Sequence, residues 1–565
     1  MIHLRDRAAR RAALLLRALG IAVFLVCAGL SYRRHLHIDE LSGLYAIQLG
    51  AAFGHPEYGS IELSSVLFRP LAWWLHSSER LFVGFRIVEL TLLCGLCFCI
   101  ASVQRALPSP LGRAVVFLGA VCFGPLWRHG FEVRHDIFVA YAVVLLAWTA
   151  ERARSGQLDA WAASVTGIGV VGAQANSSKA FTIWLPALAL CALLAARGRR
   201  PWLKHAVRAS LSFAPGILLG CALVAAVLGA AGMLGEYCRQ FRNFTNFSSA
   251  PPYRLSALPL LTFAVERAPV HAGFALIGAL GIAFRLLRRA ALDEASAPLG
   301  ACLLSALSLV LNPTPFPYNL TWLTPAWLLL AAFGLAQTLQ VIRRAAASVT
   351  LVFGLGAGAL SLFFFWRCEL DPYYRKSWDA QLRVVASAEA LTSPSEPVLD
   401  LCGLVVSRPP VAKDWIVHSL YMPAYHAGQR ETVRHIIERV WPPVAISVYR
   451  WSFLDRADWL SFRRNYLRFS EDVWVLARTI PKNAQTFEIP RAGRYRVLGS
   501  TDAGTLDGRA IRGDDVLWLG RGEHVTITRE GYTLTWVGPH SPGGPPPAAN
   551  PLFVPGELPK QRDGR

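Results

Sequence analysis

Residues 12–40, AALLLRALGIAVFLVCAGLSYRRHLHIDE, decide the architecture. The first twenty of them, apolar but for Arg17 and Ser31, are long enough, at ~20 residues, to cross ~30 Å of hydrocarbon as a helix. Arg5, Arg7, Arg10 and Arg11 precede the run, and no small-x-small cleavage site appears before Tyr32. The segment therefore reads as an uncleaved first span, not as a secretory leader. A basic, histidine-bearing turn follows (Arg33, Arg34, His35, His37), and then the acidic pair Asp39 and Glu40. A carboxylate this soon after a span lies at the height of a lipid headgroup.

Working outward, span-length apolar runs recur at 81–103, 113–128, 136–150, 159–176, 180–196, 209–231, 269–285, 297–312, 318–337 and 347–366. In lipid each backbone polar group must be satisfied within its own segment, so these runs are predicted to be helices. The expected fold is a polytopic α-helical membrane protein with about 11 transmembrane helices in residues 1–366. A chain that is 53% hydrophobic over 565 residues agrees with that class. Alternate short loops carry the arginines and lysines: Arg105 and Arg113, Arg152 and Arg154, Arg197 to Arg208, Arg285 to Arg289, and Arg343 and Arg344. Basic short loops stay cytoplasmic, which puts the N-terminus inside and, with an odd number of spans, the C-terminal region outside. Arg33, Arg34, Arg128 and Arg134 sit on the side expected to be charge-poor, and so invite a functional account.

From residue 367 the composition turns mixed and aromatic. Residues 367–483 are expected to form an extracytoplasmic α/β domain, with apolar strands in EPVLDLCGLVV and PPVAISVYRW. Residues 484–538 alternate like strands (QTFEIP, GRYRVLGS, DVLWLG, HVTITR, YTLTWV) and suggest a small β-sandwich-like domain. The Pro/Gly-rich tail 539–565 is expected to be disordered. The net charge of +20 is assigned to orientation bias and anionic headgroups; with no basic stripe carrying interleaved aromatics, nucleic acid is excluded as a partner. Most of the eleven cysteines fall inside predicted spans, so Cys94, Cys97 and Cys99 are expected to be packing residues and not a metal cluster.

The first external loop is the richest in chemistry. Asp39 or Glu40 could favour the N-terminus of an interfacial helix over 41–52, or could act on a substrate. Adjacent helical residues point ~100° apart, so one of the two faces a site. Arg69, Arg134, His135 and Lys179 are the interfacial cations able to hold a phosphate, with snorkelling at a helix end as the alternative for each. Asp136 could orient Arg134, bind an acceptor, share a metal with Asp39, or form a plain structural pair. His35, His37, Asp39 and Glu40 offer ligand types without an established metal spacing, so a divalent metal stays open. Arg86 and Glu89, at i, i+3 inside a span, are expected to pair with each other.

Four stretches in order resemble the GT-C superfamily of membrane glycosyltransferases, especially the protein O-mannosyltransferase and lipid A aminoarabinose transferase group. They are HIDELSGLY, FEVRHDIFVAYAVVLL, NSSKAFTIWLPALALC and NPTPFPYNLTWLTPAWLLLAAFGL, and the resemblance covers roughly residues 10–370. It implies a GT-C fold and Asp39 as the catalytic acid residue, with Glu40 and Asp136 as further candidates. It implies a polyprenyl-phosphate sugar as donor, Tyr318 as a substrate contact, and a hexosyl- or pentosyltransferase acting on an envelope glycan, lipid or protein at the outer face of a bacterial inner membrane; His37, in the basic lead-in where the sequence departs from the family, is a further candidate for substrate contact. Two other classes are weighed against this. A transporter or flippase would carry mid-membrane charge and internal repeats, and no clear repeat is present. A non-catalytic glycan-binding membrane protein would depend on its β-rich C-terminus alone.

Overall fold

The computed structural model describes residues 2–32, 34–36, 40, 44, 47, 63–75, 77–132, 134–177, 180–196, 201–235, 237–239, 258–288, 296–311, 319–342, 347–367, 378–412, 425–429, 431–470, 472–499, 504–528 and 530–538. They divide into two compact units. One holds residues 1–34, 61–67 and 83–376; the other holds 35–60, 68–82 and 377–565.

The first unit is helical, and each of the eleven apolar runs coincides with a helix or helix pair, from Ile2–Tyr32 to Ala347–Phe365. By length and composition, four helices among the described residues can cross a membrane singly: Arg10–Tyr32, Ser78–Val103, Trp202–Ala230 and Leu320–Ile342. A fifth candidate is a bent pair, Leu260–Arg267 with Pro269–Arg285, whose axes differ by 113°. The first half of that pair lies between the predicted spans 209–231 and 269–285. Pro269 opens the second helix and has no N–H for the preceding turn, so the bend falls there.

The run 113–128 is not one span. Helix Pro110–Val121 stops, Phe123 is extended, and a short helix Gly124–His129 restarts with proline in its first turn. Pro125 accounts for the break, because it fits a helix start and cannot donate into a continuing one. Trp127 Nε1 donates to the Val121 carbonyl at 2.6 Å, which satisfies one acceptor at the interrupted end.

Small residues let the helices approach closely. A Cβ at Gly334 would collide with the Phe274 carbonyl, and one at Gly216 with Ser164 backbone. These contacts join Leu320–Ile342 to Pro269–Leu287 and Ala214–Ala230 to Ala160–Asn176. Within lipid there is no hydrophobic drive between helices, and close backbone approach supplies the dispersion contact that replaces it.

Among its described residues the second unit has eleven strands: β1 Val398–Leu399, β2 Val444–Ile446, β3 Tyr466–Arg468, β4 Val473–Ile480, β5 Thr486–Ile489, β6 Gly493–Gly499, β7 Thr505–Leu506, β8 Arg509–Ala510, β9 Val516–Leu519, β10 Gly522–Ile527 and β11 Tyr532–Trp536. A seven-stranded sheet runs β1-β2-β4-β11-β6-β9, with β3 also on β4, and a four-stranded sheet runs β5-β10-β7-β8. The alternating stretches QTFEIP to YTLTWV are strands β5, β6, β9, β10 and β11. Because β4 pairs with β11, the larger sheet spans both C-terminal segments separated at 483/484 in the sequence reading. The tail 539–565 lies outside the described residues.

Turn chemistry is local. Asp507 and Gly508 both have positive φ, at 50° and 78°, and close β7 onto β8 as a two-residue hairpin of the Asp-Gly kind. Residues 35–60 and 68–82 belong to this unit. Leu36 N–H donates to Gln381 Oε1 at 2.8 Å, and Gln381 Nε2 donates to the Leu36 carbonyl at 3.1 Å. Ser78 Oγ donates to Glu389 at 2.7 Å.

Candidate active site

Helix Ile2–Tyr32 ends with carbonyls that have no partner inside the helix. Arg86, fully buried in helix Ser78–Val103, supplies one. Its Nη1 donates to the carbonyls of Ser31 at 3.1 Å, Tyr32 at 3.0 Å and, more closely, Arg34. A cation at a helix C-terminus also meets the negative end of the helix dipole. The i, i+3 spacing with Glu89 does not foretell this second-helix cap.

Arg34 repeats the device one step on. Its Nη1 donates to the Trp127 carbonyl at 3.2 Å and the Arg128 carbonyl at 2.8 Å, at the end of the short helix Gly124–His129. Both guanidiniums lie over the ring of Phe131, at 5.1 Å for Arg34 and 5.3 Å for Arg86. A ring face attracts a cation, and more so away from water. Arg128 in turn lies 4.6 Å from the ring centre of Phe263.

Between the end of helix Gly124–His129 and the start of the next helix, the described residues form two acid–base pairs. His129 Nδ1 stands 3.0 Å from Glu132, with both groups buried. Arg134 Nε donates to Asp136 Oδ2 at 3.0 Å, with the side chains 6% and 2% exposed. Asp136 is the first residue of helix Asp136–Arg154, where a carboxylate meets the positive end of the dipole. Its other oxygen, Oδ1, is buried and has no hydrogen-bond partner among the described residues. A carboxylate oxygen left open in a dry site is costly to folding. It is also an acceptor ready for a proton or a hydroxyl.

Of the residues singled out from sequence, Arg134, His135 and Asp136 stand together at this helix start. Glu40 and Arg69 belong to the other unit. Glu40 is fully buried. Arg69 opens helix Arg69–Trp74, and burial pushes its guanidinium below the usual arginine value. His37, Asp39, Lys179 and Tyr318 lie outside the described residues. The turn that leads to Lys179 is anchored just before it: Asn176 Oδ1 accepts from Ser64 N–H at 2.8 Å, while its Nδ2 donates to the Gly172 carbonyl. Among the described residues no three His, Cys, Asp or Glu side chains gather as a metal site.

Sequence reasoning missed Phe131 and the use of Arg86 as a cap. Arg34 and Arg128 did carry a signal, as basic residues in loops expected to be charge-poor.

No family model and no curated protein sequence matches the chain. Solved structures do. ArnT from Cupriavidus metallidurans in the apo state aligns over 81% of this chain and 97% of its own, at 13% identity and a TM-score of 0.50. The same protein bound to undecaprenyl phosphate aligns over 82% and 97%, at 13% identity and a TM-score of 0.51. The archaeal oligosaccharyltransferase AglB from Archaeoglobus fulgidus, in complex with an inhibitory peptide and a dolichol-phosphate, covers 89% of this chain and 76% of its own at 12% identity; its TM-score of 0.48 gives it no weight here. The chain has the fold of ArnT.

Proposed function

We propose that this chain is an inverting glycosyltransferase that moves a hexosyl or pentosyl group from a polyprenyl-phosphate donor to an envelope glycan, lipid or protein. It would work at the outer face of a bacterial inner membrane, in a domain that crosses the bilayer about eleven times. The observation that carries the reading is the buried Arg134–Asp136 pair, with one carboxylate oxygen open, on a chain with the ArnT fold. The undecaprenyl phosphate in the ArnT structure supports a lipid phosphate as the carrier. The hydrogen bonds between Leu36 and Gln381 support the reading that the first loop and the C-terminal region share one side of the membrane. That agrees with an odd number of spans.

The chemistry needs three things. A base takes the acceptor hydroxyl proton as the new bond forms. The acceptor oxygen attacks the anomeric carbon, and the carbon–oxygen bond to phosphate breaks with inversion. The polyprenyl phosphate leaves as an anion and needs no proton, so cations suffice to receive it. In this reading Asp39 is the base, with Glu40 the weaker candidate. Asp136 receives or orients the acceptor through Oδ1. Arg134, His135, Lys179 and Arg69 hold the leaving phosphate, Arg134 being suited to two-point contact. His37 and Tyr318 contact the sugar or acceptor.

Loss of a general base costs ~10²–10⁴-fold in rate. Transfer measured on purified Asp39→Asn, from a polyprenyl-phosphate sugar pool extracted from the native membrane, should fall by about that factor. Near-normal turnover would remove Asp39 from the mechanism.

A further inference from the structure

Two neighbouring polar groups in the membrane unit are buried without being used by the fold. Thr321 and Trp322 stand in the first turn of helix Leu320–Ile342 and are each 1% exposed. Among the described residues neither the Thr321 hydroxyl nor Trp322 Nε1 has a hydrogen-bond partner. Residues of the same types in this unit are satisfied. Thr149, Thr166 and Thr324 each donate to the carbonyl four residues back. Trp127 Nε1 donates to the Val121 carbonyl, and Trp184 Nε1 to Gln174. Thr321 is too near its helix start to have a carbonyl of that helix four residues back. A buried polar group left open costs folding free energy, so two in succession ask for a ligand.

Helical spacing gives the direction of both. Leu328 is seven residues from Thr321, and Ala326 and Leu329 are four and seven from Trp322, so each set shares a face. Trp322, Ala326, Leu328 and Leu329 pack in one apolar core with Trp127 and Ile137. That core adjoins the start of helix Asp136–Arg154, where Asp136 Oδ1 is also open. The height along the helices agrees. Leu320 packs with Leu260, Ala264 and Phe263, and Arg128 lies over the Phe263 ring. Trp327 Nε1 is open too, but it points ~140° away from Trp322 round the helix.

We propose that Thr321 and Trp322, with Asp136 Oδ1, bind the hydroxyls of a sugar ring. An indole N–H only donates, a carboxylate oxygen only accepts, and a threonine hydroxyl does both. A ring with several hydroxyls meets all three. A phosphate has acceptors where Asp136 needs a donor, and an ammonium has nothing to accept from the indole. The inference rests on the transferase reading and adds to it the groups that grip the sugar, whether of the donor or of the acceptor.

The test uses the full chain in detergent, the polyprenyl-phosphate sugar pool extracted from the native membrane, and the same pool with its sugar removed by mild acid. Thr321→Val keeps the shape and deletes the open hydroxyl, so its melting temperature without lipid should equal or exceed the parent's. Its kcat/KM for transfer should fall by about five-fold or more, with Thr321→Ser close to the parent. Trp322→Phe, which keeps a ring and loses the N–H, should lower transfer likewise. The extra rise in melting temperature given by the sugar-bearing pool over the stripped pool identifies the source. A rise lost in Thr321→Val assigns the donor's sugar; a rise kept while transfer falls assigns the acceptor's. Parent-like transfer in Thr321→Val would overturn the proposal and leave the two groups to bound water. A lowered melting temperature that accounts for the lost transfer would overturn it as well. A parent chain that transfers no sugar would overturn the transferase reading, and this proposal with it.

Discussion

In the membrane unit Arg86 faces the carbonyl end of a helix; in the C-terminal unit Asp458 faces the amide end of one. Asp458 accepts from Val433 N–H at 3.2 Å, Arg434 N–H at 2.9 Å and the Tyr425 hydroxyl at 2.6 Å. Asp400, likewise buried, accepts from the N–H groups of Cys402 and Val405 at 3.0 and 2.8 Å. Both units thus use the same device with opposite signs: a buried charge completes backbone groups that a helix end or turn leaves open. Arg134–Asp136 departs from it. There two side chains meet each other, and Oδ1 of the carboxylate is left without a partner among the described residues. Charges with their partners in place serve folding, and a buried carboxylate with an open oxygen is a candidate for chemistry.

The contrast can be broken most sharply at Arg86. Replacement by Leu removes the buried hydrogen bonds to the carbonyls of Ser31, Tyr32 and Arg34 and the cation over Phe131. Each buried unsatisfied group costs ~1–3 kcal/mol, so Arg86→Leu should lose about 3 kcal/mol or more in thermal or denaturant unfolding of the purified chain. A loss under about 0.5 kcal/mol, the range of ordinary surface substitutions, would show that the carbonyls find other partners.

A smaller effect is expected where a charge pair faces water. His524 Nδ1 stands 2.7 Å from Asp507 Oδ2, and its Nε2 lies 2.8 Å from the Gly520 carbonyl. Both ring nitrogens therefore face acceptors, a setting for the protonated ring. Burial pushes His524 down, but the bonds to Asp507 and Gly520 outweigh it and lift the imidazole above its ordinary value. Asp507 is resisted by burial, and the His524 bond and the Val525 amide hold it below the usual carboxylate range. The raised His524 contributes stability below ~6.5 and loses it as pH rises through its folded value. The depressed Asp507 contributes above ~3.9 and loses it as pH falls through its folded value. The pair is thus most useful between about pH 4 and 6.5. Asn keeps the left-handed turn conformation, so Asp507→Asn isolates the charge. With Asp507 46% exposed, solvent screening limits the expected loss to ~0.5 kcal/mol near pH 5.5, fading by pH ~8.5. An equal loss at both pH values would assign the effect to the turn and not to the ion pair.

Much of the fold was legible because lipid leaves few options. Eleven apolar runs predicted helices, and helices stand at each, while alternation in 484–538 predicted strands that are present. The break at Phe123 was carried by Pro125, a legible signal obscured by the apolar residues around it. Helix Leu258–Arg267 was hidden because its aromatic, mixed composition has no span-like run, and its place is set by the bend at Pro269. At the candidate site, Arg134 and Asp136 were found by residue type and neighbourhood. The Arg34–Phe131–Arg86 stack was not, because it joins three segments whose proximity no local spacing records.

The central claim is that Asp136 is kept for chemistry, whereas charges such as Arg86 are kept for folding. Asp136→Asn alone removes the carboxylate charge that faces the buried Arg134 and confuses the two roles. Arg134→Gln/Asp136→Asn removes both charges, and neutral replacement of a whole buried pair is often close to neutral for stability. The most direct measurement is therefore sugar transfer and unfolding on that double variant. The account predicts stability within ~1 kcal/mol of the parent and transfer reduced by ~10²-fold or more. Transfer near the parent rate in the folded double variant would contradict it and leave the pair a structural one.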